Sequence, residues 1–327
     1  MRLRIFGFVA IVLVVMGVAS CKAQKQASGS SASSTESVAT VNVPNFSGDS
    51  AYNLVKVQCD FGPRVPGTPA HSKCVQWLEQ QLNRYCDTTI VQEAQVTTFD
   101  GKTLNIKNLI GSLNPTSDDR ILLLAHWDCR PWADNDPDDS KHRNPVMGAN
   151  DAASGVAVLL ELARIMRATP PNIGVDFLLV DAEDWGTNDV EDSWALGTQY
   201  WAKNPHVAGY TARFGVLLDM VGARGAQFSK EILSLQHAPA VVDEVWRMAQ
   251  DSGYSSFFKN EAGGAITDDH IQVNNMGIKC IDIIDMRTDS PTGFFEWWHT
   301  TGDTLDKIDA STLKAVGQTV ANVVYSY

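Results

Sequence analysis

The chain is predicted to be an α/β protein with a mainly parallel sheet covered by helices on both faces. Two observations predict this. Short apolar runs of strand length alternate with segments whose apolar residues recur at helical spacing. Acids and imidazoles also stand at the C-terminal ends of those apolar runs or in the loops beyond them, where open α/β sheets place their sites.

Residues 47 to 57 can form a helix, stopped by the turn-forming Phe61-Gly-Pro-Arg-Val-Pro-Gly-Thr68. A second helix follows, with Cys74, Leu78, Leu82 and Tyr85 on one face. Residues 88 to 99 and 104 to 113 read as paired strands around the hairpin signal Asp100-Gly101. Then come a strand at 121 to 127, a polar loop at 130 to 148, a helix at 152 to 168 ended by Pro170-Pro171, and a strand at 174 to 181. The remaining elements are a strand at 215 to 220, a helix at 239 to 251 closed by Gly253, a strand at 277 to 284 and an amphipathic helix at 309 to 325.

The N-terminal end reads differently. Residues 1 to 20 run from a positive Met-Arg-Leu-Arg through an apolar stretch to small residues, a signal peptide too short to be kept as a membrane span. Gly17-Val-Ala-Ser-Cys21 resembles a bacterial lipobox, which makes Cys21 the expected lipidated residue. Residues 21 to 45, rich in Ser, Ala, Gln and Thr, are the expected flexible tether, and 46 to 327 one catalytic domain. The expected location is therefore a bacterial cell envelope, lipid-anchored and facing the periplasm, with Cys21 as the one membrane contact.

Net charge is −12, from 26 Lys and Arg against 38 Asp and Glu, and the basic residues form no stripe, so nucleic acid is excluded as a partner. Beyond Cys21 there are five cysteines without metal-type spacing, and no disulfide is assigned. A monomer is expected.

The site candidates centre on Met147-Gly-Ala-Asn-Asp-Ala-Ala-Ser-Gly155, which leads directly into a helical pattern. Asp151 at that helix mouth is either a cap or a metal ligand. Asp151, Asp184 and His299 form a set of hard carboxylates plus imidazole that suits a catalytic Zn²⁺, leaving a position for substrate. Glu183 is adjacent to Asp184, so one side chain can bind metal while the other serves as acid or base. Taken singly, His126 can be a satisfied strand-end histidine, Asp181 and Asp219 helix caps, and Glu183 a solvated loop acid.

The ordered set His126-x-Asp128, Asn150-Asp151-x-x-Ser-Gly, Glu183-Asp184, Leu218-Asp219, Asp268-Asp-His270 and His299-x-x-x-Asp303 resembles the zinc aminopeptidase superfamily (M28-like) that also contains the animal-type glutaminyl cyclases. The resemblance runs from about residue 50 to the C-terminus. It implies a three-layer sandwich with a twisted, mixed central sheet. It also implies cyclase chemistry: one zinc polarises the γ-carbonyl of a peptide's N-terminal glutamine, the α-amino group attacks, and pyroglutamate and ammonia result. The implied roles are Asp151, Asp184 and His299 as ligands, Glu183 as proton shuttle, and Asp219 and Asp268 as a proton-sharing pair that orients the substrate amine. Trp298 is the implied substrate wall; Trp185, Trp194 and Phe294 are secondary wall candidates, for which core packing is the favoured alternative. Asp268 and the tryptophan-flanked His299 resemble cyclases, whereas aminopeptidases usually carry Ser at the position of Asp268. Animal cyclases mostly have Glu where this chain has Asp184, so the shorter arm must bring the metal closer to its loop. A dinuclear aminopeptidase, using His126, Asp151 and Asp219 for a second zinc, and an inactive peptide-binding lipoprotein are the alternatives.

Overall fold

A computed structural model describes residues 43–327; the expected signal peptide, Cys21 and the expected 21–45 tether up to residue 42 lie outside the described residues. The described residues, 43–327, form one compact unit. Phe46 opens it, fully buried, with its ring against the backbone of Gly317 and its N–H donated to Gln318 Oε1 at 2.8 Å.

The helices α1 (Gly48–Asp60) and α2 (Pro69–Tyr85) are capped by Ser47 and Thr68, whose hydroxyls accept the Ser50 and His71 amides. The strands β1 (Thr88–Thr97) and β2 (Thr103–Leu113) form the predicted hairpin, with Thr97 opposite Thr103 and Gly101 at φ +78° between them. Next come β3 (Arg120–His126), α3 (Ala153–Ala168), β4 (Gly174–Val180), α4 (Leu196–Lys203) and β5 (Gly215–Asp219). They are followed by β6 (Phe228–Lys230), α5 (Ile232–His237), α6 (Pro239–Asp251), β7 (Phe258–Ala262), α7 (Asp269–Asn275), β8 (Cys280–Ile284) and α8 (Ala310–Val324). Of these, α4, α5, α7 and the small parallel pair β6–β7 were not legible in the sequence, because each is too short to establish a period. None of the described helices is long and apolar enough to cross a membrane.

The main sheet has the order β1-β2-β4-β3-β5-β8, and it is mixed. Pairs β1–β2 and β2–β4 are antiparallel, while β4–β3, β3–β5 and β5–β8 are parallel. Every residue of β3, β4, β5 and β8 is buried, which is why they read as continuous apolar runs rather than as alternations. The two-residue period still sorts them. Leu123, Phe177 and Leu218 point into a core shared with α1, α3, α6 and α8, and Leu122, Leu178 and Leu217 into a second core with Trp201 of α4 and Val273 of α7. A helical layer thus lies on each face, and the three-layer α/β sandwich is the observed fold. No disulfide joins Cys59, Cys74, Cys86, Cys129 or Cys280.

Candidate active site

The parallel strands deliver their last residues to one edge of the sheet. His126 ends β3, Asp219 ends β5, Glu183 and Asp184 occupy the turn after β4, and Asp268 immediately precedes α7. The loop from Met147 to Ala152 and the loop carrying His299 complete the edge. Gly155 explains how α3 comes so close: a Cβ there would lie 2.1 Å from the Leu218 carbonyl oxygen, so only glycine lets the first turn of α3 rest on the end of β5. The rest of the motif ties the same two segments together. The Asn150 side-chain oxygen accepts the Gly222 amide at 2.9 Å, while Ser154 donates to the Asn150 carbonyl and accepts the Val221 amide.

Asp151 is not a helix cap. Ala152 occupies the N-cap position and no side chain caps α3. The Asp151 carboxylate instead meets His126 Nε2 at 3.0 Å and His299 Nε2 at 3.7 Å, and its own N–H is held by Asp303 Oδ2 at 3.1 Å. The capping reading of Asp219 falls too, since its Oδ1 accepts from His126 Nε2 at 3.1 Å. Asp181 is a structural acid: it accepts the Lys107 and Ala182 amides and faces His71 Nε2 at 2.9 Å.

Two groups of ligand-type atoms result, sharing Asp151. One is Asp151, Asp184 and His299; the other is His126, Asp151 and Asp219; all five residues are buried, and within each group the atoms lie within 4.8 Å of one another. Asp184 Oδ1 is 3.1 Å from His299 Nε2, and Asp184 Oδ2 is buried without any hydrogen-bond partner. A buried carboxylate oxygen costs free energy when left unmatched. Two carboxylates and one imidazole converging with a spare oxygen therefore fit a divalent ion of the zinc type.

The predicted catalytic and ligand carboxylates, Asp151, Glu183, Asp184, Asp219 and Asp268, line one cavity of about 260 Å³ together with His299. Trp194, Phe294 and Trp298 stand on its walls. The His299 ring lies between two of them, with Trp298 stacked at 3.8 Å between centroids and Trp194 at 6.1 Å. Trp185 does not line the cavity. Its ring is drawn to the β1–β2 hairpin tip, where it packs edge-on against Trp132 at 5.6 Å, lies under Lys102 and donates from Nε1 to Asp100 at 3.3 Å. Its assignment as a pocket wall is corrected: side chains of successive turn residues diverge, and that of Trp185 follows the apolar cluster around Val65, Leu104 and Ile106.

Burial dominates the electrostatics. It pushes Glu183 well above the usual carboxylate range, partly offset by His126 and reinforced by Asp268 and Asp184. Burial and the charge of Asp219 likewise raise Asp268 well above its ordinary value. Burial raises Asp219 as well, and lifts Asp184 to about 6. Asp151 is the exception, held low despite burial by its contact with His126 and by His299. Asp282, fully buried on β8, has neither oxygen hydrogen-bonded and is raised by burial, Asp268 and Asp219.

Several working residues had no role in the sequence reading. Asp128 accepts the amides of Glu183 and Asp184 at 3.1 and 3.3 Å, and Asp303 those of Asn150 and Asp151. Each carboxylate fixes the backbone of a site segment. Both belong to the motif as quoted, so their presence was legible and their task was not. Left-handed backbone at Ala182 (φ +53°), Met220 (φ +49°) and His299 (φ +55°) marks the same segments.

Comparison with known proteins agrees with this architecture. The model of peptidase family M28 matches residues 108–324. A glutaminyl cyclase of Bacteroides thetaiotaomicron, solved with N-acetylhistamine bound, is 49% identical, with 88% of this chain and 100% of that one covered at a TM-score of 0.86. A Zn-dependent exopeptidase of Parabacteroides distasonis is 51% identical, covering 87% of this chain and 100% of that one, also at 0.86. Among characterised enzymes, the glutaminyl-peptide cyclotransferase of Bos taurus is 25% identical over 81% of this chain and 78% of its own. With its mixed sheet, its strand-end carboxylates and these relatives, the chain belongs to peptidase family M28 and is similar within it to bacterial glutaminyl cyclases.

Proposed function

We propose that this protein is a glutaminyl-peptide cyclotransferase, which converts the N-terminal glutamine of peptides and proteins to pyroglutamate and releases ammonia. The observation that carries the reading is Asp268. In place of a small neutral side chain, a buried carboxyl with raised proton affinity stands on the cavity wall beside Glu183 and Asp219. A wall of protonatable carboxyls suits a reaction that moves one proton between two nitrogens of the same substrate residue.

Asp151, Asp184 and His299 would hold the ion, one per chain. A zinc ion bound there supplies Lewis acidity at the substrate's γ-carbonyl. Trp298 and Phe294 orient the glutaminyl side chain and exclude water, which matters because nucleophile and electrophile belong to one residue and only geometry separates reaction from futile rotamers. The α-amino nitrogen bonds to the carbonyl carbon of the side-chain amide, Cδ, while that carbon's bond to the amide nitrogen breaks. Glu183 takes a proton from the attacking nitrogen and returns it to the departing one, so protons balance and ammonia leaves. Its raised proton affinity makes it a better base than an exposed carboxylate. Asp219 and Asp268 orient the amine.

One observation favours a second reading, a dinuclear aminopeptidase: His126, Asp151 and Asp219 form a second convergent group. The purified domain should therefore be offered an N-terminal glutaminyl and an N-terminal leucyl reporter while bound zinc is counted. Pyroglutamate formation with about one zinc per chain is expected. Leucine release at comparable efficiency, with full activity only at two equivalents, would overturn the cyclase reading. The lipid anchor at Cys21 and a periplasm-facing location are proposed on residues 1 to 21 alone.

A further inference from the structure

Behind Asp184 and His299 lies a second pair of charged residues. Arg130 is buried, held between the rings of Trp132 at 5.0 Å and Trp194 at 5.1 Å. One edge of its guanidinium faces Asp134, with Nε to Oδ1 at 2.7 Å and Nη2 to Oδ2 at 2.6 Å, a bidentate fork. The remaining nitrogen, Nη1, turns to the Asp184 segment. It donates to the Asp184 carbonyl at 3.0 Å and the Gly186 carbonyl at 3.3 Å, and reaches Asp184 Oδ1 at 3.4 Å. Asp134 in turn stands 3.6 Å from His299 Nδ1. Since His299 Nε2 is turned toward Asp184 and Asp151, Nδ1 is the nitrogen left for this outer carboxylate.

We propose that Arg130 and Asp134 form a positioning clamp that sets the direction of two metal-binding side chains at once, Asp184 through Arg130 and His299 through Asp134. The inference rests on the reading of Asp151, Asp184 and His299 as ligands. Three features argue for it. The clamp reaches both ligands through one bidentate ion pair, so the contacts to Asp184 and to His299 share a single anchor. Arg130 grips the backbone of Asp184 and Gly186 as well as a carboxylate oxygen, which fixes the base of a short side chain that has less reach than Glu for finding an ion by flexing. The Trp132 and Trp194 rings hold the guanidinium plane, and Trp194 also stacks on His299, so the aromatic wall and the clamp are one unit. Outer partners of metal ligands that fix ring and carboxylate orientation change metal affinity by roughly 10–100-fold when removed.

The experiment measures zinc affinity of metal-stripped protein by competition with a chelating dye, with the melting temperature of the metal-free form recorded alongside. Asp134→Asn and Arg130→Gln are each expected to weaken zinc binding by roughly 10–100-fold, and Arg130→Lys, which keeps the charge and loses the fork, to fall between Arg130→Gln and the unaltered chain. Asp184→Asn serves as the reference for loss of a ligand. If Asp184→Asn weakens zinc while Asp134→Asn and Arg130→Gln stay within about twofold of the unaltered chain, the clamp is overturned and the ligand set stands. If Asp184→Asn leaves affinity unchanged, the ligand set itself is wrong, and the clamp falls with it. Should Arg130→Gln fail to fold, the partly exposed Asp134→Asn decides.

Discussion

The two ends of the central sheet both bury charge, and they treat it in opposite ways. At the end where β3 and β4 begin, Asp176 is fully buried and every lone-pair direction has a donor: Arg120 twice, at 2.5 and 2.8 Å, Ser112 at 2.5 Å and Tyr210 at 2.7 Å. Where the same strands finish, Asp184 Oδ2 is buried without a partner, as are both oxygens of Asp282 midway along β8, and Glu183, Asp219 and Asp268 are pushed up by burial and by one another's charge. A satisfied buried carboxylate makes structure, because its desolvation is already offset. Several unsatisfied ones held together imply something that arrives later, a cation or a proton in transit.

The largest effect that tests this contrast is at Glu183. Glu183→Gln should retain zinc and lose on the order of 10²–10⁴-fold in rate, the usual worth of a general acid/base; Asp184→Asn should instead lose metal and be partly restored by excess zinc. Metal analysis beside turnover separates the two, and the reverse pattern would exchange the roles of ligand and base. At the opposite end, Asp176→Asn strips a buried arginine of its partner and should destabilise the fold by about 3–5 kcal/mol, with turnover per folded molecule unchanged. Denaturant unfolding combined with activity checks it, and a loss of turnover without a loss of stability would dissolve the distinction between the two ends.

The finest test uses pH. Burial lifts Asp303 from 3.8 to about 8, partly offset by the Asn150 and Asp151 amides that it accepts. A carboxyl whose folded value is raised contributes stability that is complete at acid pH and is lost as pH rises through the folded value. The metal-free protein should therefore weaken between roughly pH 4 and pH 8, and Asp303→Asn should flatten that slope by at most one proton's worth, about 1.4 kcal/mol per pH unit. Urea midpoints across that range measure it; an unchanged slope in the variant would show that Asp303 is ionised in the fold.

The sequence by itself determined the alternation of strands and helices, the hairpin at Asp100-Gly101 and the residues that gather at the strand ends, because those depend on local period and turn chemistry. It also determined which side chains are chemically able to bind metal or carry a proton. The tertiary structure decided which way each one points. Glu183, Asp184 and Trp185 are consecutive, yet the first two face the cavity and the third packs under a hairpin tip more than eighty residues away in sequence. Asp151 at its helix mouth could be a cap or a metal ligand, and the cap is ruled out because its partners come from β3 and from the loop before α8. The work of Asp128, Asp303, Arg130 and Asp134 was invisible for the same reason. Each acts through hydrogen bonds or charge contacts to other segments, and contacts between distant parts of the chain leave no local period to read.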